Sequence, residues 1–270
     1  VRLLGRGEDP AGRLVLVHER LFTNPLLMLG RPEVRRHFKD DPGTTYRPLP
    51  AAAALRLGLD LLRAVEHMHD NGFVHHDVKP GNLLVRLPAL ERTERPALHL
   101  VLTHALGPAA RAVLLDIGAA RSMEYLDALN RGEVDSSVIP AMMTPSHAPP
   151  EALLPAQEGA RPRLHPSVDV YGAALVLYAC ASGMAPYEHV GRRPDPSTLL
   201  ELKARERDGQ LLPVSYEALA AAPGMSCWLA RDLFAFARDC VQRLPERRPD
   251  ARAARARLQE LHERVATEAA

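Results

Sequence analysis

The sequence predicts an α+β fold, with strands gathered toward the front of the chain and helices filling most of the rest. Three observations carry this expectation. Residues 1–19, VRLLGRGEDPAGRLVLVHE, read as strand, Gly/Asp/Pro turn and strand: a hairpin from Val1 to Glu19. Residues 51–69 place apolar side chains at helical spacing. From Ser167 onward the pattern is helical nearly to the end. At 270 residues the chain fits one large domain or two modest lobes, and it can bury a substantial core.

A Pro-rich linker from Asp41 to Pro50 follows the hairpin region. The helix after it runs from Ala51 to about His69. Leu55, Leu59, Leu62 and Val65 form its apolar stripe, and Arg56, Asp60, Arg63 and His67 its wet one. Asn71-Gly72 ends it. Short strands are expected at GFVH (72–75) and NLLVRL (82–87), flanking a loop. A second strand pair is expected at LHLVLTHAL (98–106) and RAVLLDIG (111–118). Residues Ser167 to Ser182 are apolar on nearly all sides, which predicts a buried central helix. Further helices are expected at 197–207, 226–242 and 250–266. The last is rich in Ala and Arg but keeps Ala253, Leu258, Leu261 and Val265 as an apolar face. No internal repeat is visible.

Charge is nearly balanced, with 34 Lys+Arg against 33 Asp+Glu. A general nucleic-acid binder would carry a basic excess, so that class is disfavoured. Cys180, Cys227 and Cys240 are far apart, odd in number and set in apolar helical contexts. They read as reduced packing residues, as in a cytoplasmic protein. The apolar run from Val170 to Ser182 is too short to span a bilayer, which takes about 20 residues of helix. No signal peptide is expected. The chain begins with Val, so residues upstream of Val1 are one possibility.

The densest chemistry lies in EHMHDNGFVHHDVKPGN, Glu66 to Asn82, where His67, His69, His75 and His76 interleave with Asp70 and Asp77. A metal cluster is the obvious first reading. On a helix, residues two apart are rotated by about 200°, so His67 and His69 face opposite ways. His75 and His76 are adjacent and point to opposite faces of extended backbone. The spacing gives a shared ion no support. What remains is H-x-D-x-K-P-x-N: His75, Asp77, Lys79, Pro80, Asn82. That arrangement suits phosphoryl transfer. Asp77 can orient a substrate hydroxyl and accept its proton, Lys79 can steady a γ-phosphate, and the Asn82 amide oxygen can ligate Mg²⁺. Asp116, at a predicted strand end in VLLDIGAAR, offers the second metal ligand.

At these residues the sequence resembles the protein kinase family. His75-His76-Asp77 resembles the His-Arg-Asp loop, and Asp116-Ile117-Gly118 resembles Asp-Phe-Gly. TPSHAPPE, Thr144 to Glu151, is similar to the end of an activation segment, with Pro149-Pro150-Glu151 standing for Ala-Pro-Glu. SVDVYGAALVLYACASGMAPY resembles the family's central buried helix. The resemblance implies that Asp169 holds the catalytic-loop backbone and that Arg248 of PERRPDA pairs with Glu151. It also makes His75 and His69 packing residues and puts Thr144 in contact with Asp77 and Lys79. Asp-Val-Lys-Pro is similar to the Ser/Thr-specific members. ATP and Mg²⁺ are the implied cofactors, and a protein hydroxyl is the implied acceptor. The implied fold is protein-kinase-like: a truncated β small lobe and hinge at 1–22, and a mainly helical large lobe at 23–270. An insertion at about 87–110 is expected to lengthen a hairpin.

Several positions depart from the family pattern. His76 replaces the Arg that binds a phosphorylated activation loop, and a neutral His lacks the bidentate fork. Activity is therefore expected not to depend strongly on phosphorylation at Ser136, Ser137 or Thr144. Ile117 replaces Phe as a smaller apolar filler, and Ala174 replaces a helix Gly. At the front, Gly5, Gly7 and Gly12 do not fit G-x-G-x-x-G, and Lys39, the first lysine, lies in a charged stretch before Pro42. The better alignment makes Val1–Gly5 and Leu14–Glu19 the last two strands of the small lobe. His18 then falls at the gatekeeper position, Glu19, Arg20 and Leu21 form the hinge that meets adenine, and Leu84 packs beneath the ring. The phosphate loop, the strand Lys and its Glu partner are not in the sequence as given, so slow turnover of these 270 residues alone is expected.

Three functions compete. A Ser/Thr protein kinase uses Asp77 and Lys79 for transfer and Asn82 with Asp116 for Mg²⁺. A pseudokinase, or partial-lobe interaction module, keeps the lobe as a binding surface without catalysis. It has no physical need of all four residues. A small-molecule phosphotransferase shares H-x-D-x-x-x-x-N but lacks the activation segment that Thr144 to Glu151 resembles.

Overall fold

The computed structural model describes residues 3–8, 14–29, 46–134, 143–154, 164–191 and 194–268. The expectations for Gly12, Lys39, residues 41–45 of the linker, Ser136 and Ser137 lie outside the described residues.

The chain opens with β1 (Leu3–Glu8) and β2 (Leu14–His18), which pair antiparallel from Leu3↔His18 to Glu8↔Leu14. Strand β1 runs on past Gly5 to Glu8, so Gly5 and Gly7 are strand residues. A two-residue β3 (Phe22–Thr23) and a short α1 (Pro25–Leu29) follow.

Helix α2 spans Ala51–Asp70. Its predicted stripe, Leu55, Leu59, Leu62 and Val65, is buried, but so are Ala53, Leu57 and Leu61 on other faces. Asp60, read as a wet-stripe residue, is buried as well. Its carboxylate accepts from Ala112 N at 3.0 Å and from Arg63 Nη1 at 3.1 Å, and those bonds offset its desolvation. The helix ends at Asn71-Gly72, where Gly72 takes φ 79°.

Strand β4 (Phe73–Val74) leads into the loop of interest, and β5 (Leu83–Arg86) leaves it. The next segment corrects one expectation. LHLVLTHAL is no strand and no lengthened hairpin; it is helix α3 (Leu98–Leu106), preceded by a 3₁₀ turn at Pro88–Leu90. Leu98, Leu100 and Leu102 alternate as a strand would, but the buried pair is Val101 and Ala105, four apart, while Leu98 and Leu100 stay exposed. Short apolar runs fit both periods, and here helical burial wins. Arg56 Nη2 donates to Leu106 O at 3.0 Å and fixes the helix end against α2.

Strand β6 (Arg111–Leu114) closes a three-stranded antiparallel sheet, ordered β3-β5-β6. The register Leu83↔Leu114 and Phe22↔Val85 brings the ends of all three strands together. Strand β7 (Arg121–Ser122) pairs with β4, then Ser122 caps α4 (Met123–Arg131) by accepting from Tyr125 N. A short α5 (Pro150–Leu153) precedes α6 (Ser167–Ser182), every residue of which is buried, as predicted. Helix α6 stops at Gly183, φ 76°, where a Cβ would lie 2.6 Å from Pro48 Cδ. Around α6 stand α7 (Pro196–Arg207), α8 (Tyr216–Ala220), α9 (Cys227–Cys240) and α10 (Ala251–Glu268).

The buried face of α10 is Ala251, Ala254, Leu258 and Leu261, with Val265 packed beside them. Ala253 is exposed, because the i, i+3, i+4 rows that reach Leu258 and Leu261 pass through residue 254. Cys180 and Cys240 are buried, and Cys227 is exposed at the first turn of α9. Among the described residues no helix is long and apolar enough to cross a membrane.

Candidate active site

Between β4 and β5, residues 75–79 belong to no strand or helix, so their backbone groups need partners from elsewhere. Asp169, in the first turn of α6, supplies them. Its Oδ2 accepts from His75 N at 2.7 Å and its Oδ1 from His76 N at 2.8 Å, while His69 Nε2 lies 3.0 Å from Oδ2. The carboxylate is 1% exposed. Burial alone would push its pKa up; His69 and the loop N–H bonds outweigh that and hold it below the usual range. The grip bends the loop sharply enough that His76 sits at φ 68°, a conformation costing about 1–2 kcal/mol for a non-glycine residue. Close approach matters too: a Cβ on Gly172 of α6 would stand 2.8 Å from Val78 O.

The histidines separate as their spacing predicts. His67 is exposed. His75 is wholly buried and does more than fill space. Its Nδ1 accepts from Asp77 N at 3.3 Å, leaving Nε2 to donate to Leu115 O at 3.0 Å, so it ties the loop to the strand end before Asp116. His76 is buried without a well-formed hydrogen bond to either ring nitrogen among the described residues. Burial pushes its pKa down, against the opposing pull of Asp169.

Asp77 is the hub of the polar groups. Oδ1 accepts from Thr144 Oγ1 at 2.6 Å and from Thr144 N at 3.1 Å. Oδ2 lies 2.6 Å from Lys79 Nζ and accepts from Asn82 Nδ2 at 3.0 Å. Lys79 Nζ also donates to Thr144 Oγ1 at 2.8 Å. Burial raises the Asp77 pKa, but the bonds from Lys79, Thr144 and Asn82 and the Lys79 charge lower it further, so the carboxyl is held below its ordinary value. It is an ionised acceptor near neutral pH, poised to orient a hydroxyl rather than to take a proton in the ground state.

Asn82 closes a 3₁₀ turn, Pro80–Asn82, and spends its amide nitrogen on Asp77 O (2.8 Å) and Asp77 Oδ2. That fixes the amide orientation and leaves Oδ1 as its remaining polar atom. Asn82 O accepts from Leu115 N at 2.8 Å, which extends the β5–β6 pairing and sets Asp116 beside the turn. Asp116 is exposed, with φ 64° and ψ 70°, and accepts from Gly118 N at 3.3 Å. Two oxygen donors at adjoining strand ends suit a hard cation such as Mg²⁺. Ile117, expected as a packed apolar filler, is instead 71% exposed, because among the described residues no apolar surface faces it.

One supporting residue was not foreseen. Asn24, 1% exposed, donates to Pro80 O at 2.7 Å and Leu83 O at 2.6 Å, and its Oδ1 accepts from Leu27 N. It holds the Pro80–Asn82 turn while starting α1. Asn24-Pro25 is a helix-start signal in the sequence, but nothing local says that its amide reaches residue 80.

Farther along, Arg248 forks onto Glu151, Nη1 to Oε1 at 2.6 Å and Nη2 to Oε2 at 3.0 Å, and donates Nε to Gln242 O. At the sheet end, Glu19 pairs with Arg86 at 2.5 Å. Arg20 donates to Thr93 O and, at 3.0 Å, to Glu94 O, and stacks over Phe22. Leu21 and Leu84 are half-buried, with Leu84 paired to Thr23 and Val113. Asp77, Lys79 and Asn82 thus share one cluster and Asp116 adjoins it. Glu19, Leu21 and Leu84 stand apart, linked to it through the β3-β5-β6 sheet.

A model of the protein kinase domain matches residues 40–258. The chain belongs to the protein kinase family. Its relatives include the serine/threonine-protein kinase PkaA of Streptomyces coelicolor, 26% identical over 239 residues, which cover 88% of this chain and 34% of that protein. The DNA damage-responsive serine/threonine-protein kinase RqkA of Deinococcus radiodurans is 29% identical over 211 residues, covering 74% and 25%. Mouse serine/threonine-protein kinase DCLK3 is 30% identical over 148 residues, covering 55% and 14%. The chain spans about a third or less of the length of these relatives. The kinase-family match covers the catalytic loop, Asp116, Thr144, Glu151 and Arg248 together.

Proposed function

We propose that this protein kinase chain transfers the ATP γ-phosphoryl group to a Ser or Thr hydroxyl of a protein, with Asp77 as the base. The observation that carries the reading is the Thr144 hydroxyl, which donates to Asp77 Oδ1 at 2.6 Å and accepts from Lys79 Nζ at 2.8 Å. A secondary or primary alcohol entering there meets an ionised carboxylate on one side and an ammonium on the other. Asp77 orients the hydroxyl and takes its proton as the bond to phosphorus forms, and Lys79 offsets charge on the transferring group. Asn82 and Asp116 are the residues that would hold Mg²⁺, while Glu19 and Leu21 at the hinge and Leu84 below it would meet adenine. ATP supplies the phosphoryl group and Mg²⁺ neutralises its oxygens when they are bound. The relatives named as serine/threonine-protein kinases support the acceptor class.

The alternative, a pseudokinase binding module without catalysis, draws on one observation, the exposure of Ile117 beside Asp116. Phosphotransfer to a protein substrate by the chain, beside its Asp77→Asn variant, separates the two. The expected loss in the variant is about 10²–10⁴-fold, the usual worth of general base catalysis. Equal, measurable turnover by both proteins sinks the assignment of Asp77, and no transfer by either favours the binding module.

A further inference from the structure

Two consecutive residues between β2 and β3 are fastened by their side chains to different parts of the chain. Glu19 accepts from Arg86 Nη2 of β5 at 2.5 Å. Arg20 donates Nη1 to Thr93 O and Nη2 to Glu94 O, the latter at 3.0 Å. Its guanidinium carbon lies 4.9 Å from the Phe22 ring centre. Phe22 is itself buried and paired with Val85 of β5, so the arginine rests on a ring of the main core.

The acceptors of Arg20 belong to the segment that joins β5 to β6. Paired antiparallel strands need only about 2–5 residues of turn, yet this connection runs from Leu87 to Ala110 and carries helix α3. It is anchored at both ends. Leu87, Leu90, Val101, Ala105 and Ala110 are buried in the main core. Thr93 N donates to Leu90 O at 3.1 Å, so the residue offering the first carbonyl is bonded directly to a core leucine. At the far end Arg56 of α2 holds Leu106 O at 3.0 Å. The two carbonyls that receive Arg20 are therefore presented by an ordered platform built on α2 and the sheet. A single bond from an exposed arginine would count for little, but here one planar fork meets two carbonyls and a ring at once, which a lysine ammonium does not reproduce.

We infer that the β5–β6 segment is a brace for the hinge and that Arg20 is a positioning residue for the nucleotide. The inference rests on the kinase reading for Glu19 and Leu21 as the adenine contacts. Arg20 stands between them in the chain. Any rotation of residues 19–21 that carries their backbone groups away from adenine must break two charge-assisted hydrogen bonds and lift the guanidinium off Phe22. The brace thus holds the hinge in its nucleotide-ready form before the nucleotide arrives. Its bonds involve Arg20, Thr93 and Glu94, whereas the acceptor hydroxyl is met by Asp77 and Lys79. The brace therefore governs nucleotide affinity and leaves the transfer step alone. A hinge competent for only about a third to a tenth of the time raises the apparent nucleotide Kd by about three- to ten-fold.

The test uses the full chain, with direct binding of a fluorescent ADP analogue and Mg²⁺ read beside phosphotransfer kinetics and a thermal melt without nucleotide. Arg20→Ala is expected to weaken the analogue and raise the KM for ATP by about three- to ten-fold, with kcat, the KM for the protein acceptor and the thermal midpoint unchanged. Arg20→Lys, which keeps the charge but not the fork, is expected to fall between the two. Replacing residues 92–95 with glycines loosens the carbonyls and should reproduce the loss, and combining it with Arg20→Ala should add nothing further. Wild-type affinity and KM for ATP in Arg20→Ala overturn the brace and leave the kinase reading standing. Losses that add in the combined variant also overturn it, because arginine and segment then act separately. Weakened analogue binding in Arg20→Ala, with no phosphotransfer to protein by the wild type, overturns the kinase reading and supports the brace. A wild type that binds no analogue overturns the brace together with its adenine site.

Discussion

Replacing Asp169 with alanine removes three acceptor contacts at once and leaves nothing nearby to replace them. The two backbone donors, His75 N and His76 N, sit 2.7 and 2.8 Å from the carboxylate in a region closed to water. A buried donor left unpaired costs about 1–3 kcal/mol, so the pair costs about 2–6 kcal/mol, a large part of a total stability of about 5–15 kcal/mol. Asp169→Asn keeps one acceptor oxygen but turns an NH₂ toward the other N–H, and a smaller loss of about 1–3 kcal/mol is expected. Urea unfolding followed by circular dichroism measures both. The acid dependence gives a second reading. Because the folded Asp169 pKa lies below its unfolded value, its contribution is present above that unfolded value and is lost as pH falls through the folded one. The Asn variant should lack that part of the acid destabilisation. An alanine variant within about 0.5 kcal/mol of the wild type would refute the anchoring role, since that is the scatter of surface substitutions.

Gly172→Ala drives a Cβ to 2.8 Å from Val78 O and 3.0 Å from Val78 Cβ. Overpacking of this kind costs about 1–3 kcal/mol; a thermal midpoint equal to the wild type's would contradict the close approach of α6 to the loop. His76→Gln tests the buried imidazole through pH. The folded His76 pKa is lowered, mainly by burial and secondarily by Arg121 and His75 against Asp169. The unfolded chain therefore binds the extra proton, and stability falls as pH drops below the ordinary histidine value of about 6.5 until the folded pKa is passed. The variant should lose less stability than the wild type between pH 7 and pH 5 in thermal melts; an unchanged pH slope would place His76 in water.

The parts legible in the sequence were those whose determinants are local or whose motifs are whole. Helix α6 was readable because it is apolar on all faces over its full length, and the catalytic loop because Asp77, Lys79 and Asn82 stand within six residues of each other. The family resemblance supplied the long-range pairs, Asp169 with the loop and Glu151 with Arg248, and the geometry agrees with both. What escaped depended on partners distant in sequence. Helix α3 was read as a strand because Leu98, Leu100 and Leu102 alternate, and only packing against α1 and the bond from Arg56 of α2 select the helical period. Asp60 looked solvated because its partner, Ala112 N, is fifty-two residues away. Asn24 and the buried, hydrogen-bonded Lys203–Glu206–Tyr171–Tyr187 cluster were silent for the same reason. An isolated Lys or Asn on a helix reads as surface until the tertiary neighbours that desolvate it are known.

The site is built in two halves of different stiffness. The half holding Asp77 is fixed from three directions: α6 through Asp169, the 144–151 segment through Thr144, and α1 through Asn24. Each anchor is at least partly buried, so reorienting Asp77 means breaking several desolvated bonds together. The half holding Asp116 lies on an exposed left-handed turn whose side chain makes one long bond to Gly118 N, followed by an Ile117 in open surface. The first half needs nothing further to present a carboxylate to a hydroxyl. The second carries backbone strain of about 1–2 kcal/mol with little packing to hold it. Contacts to a cation at Asp116 and apolar cover over Ile117 would each supply what that turn lacks. In the proposed kinase reading, acceptor binding would depend on geometry already in place, whereas nucleotide and metal affinity would depend on whatever orders residues 116–118.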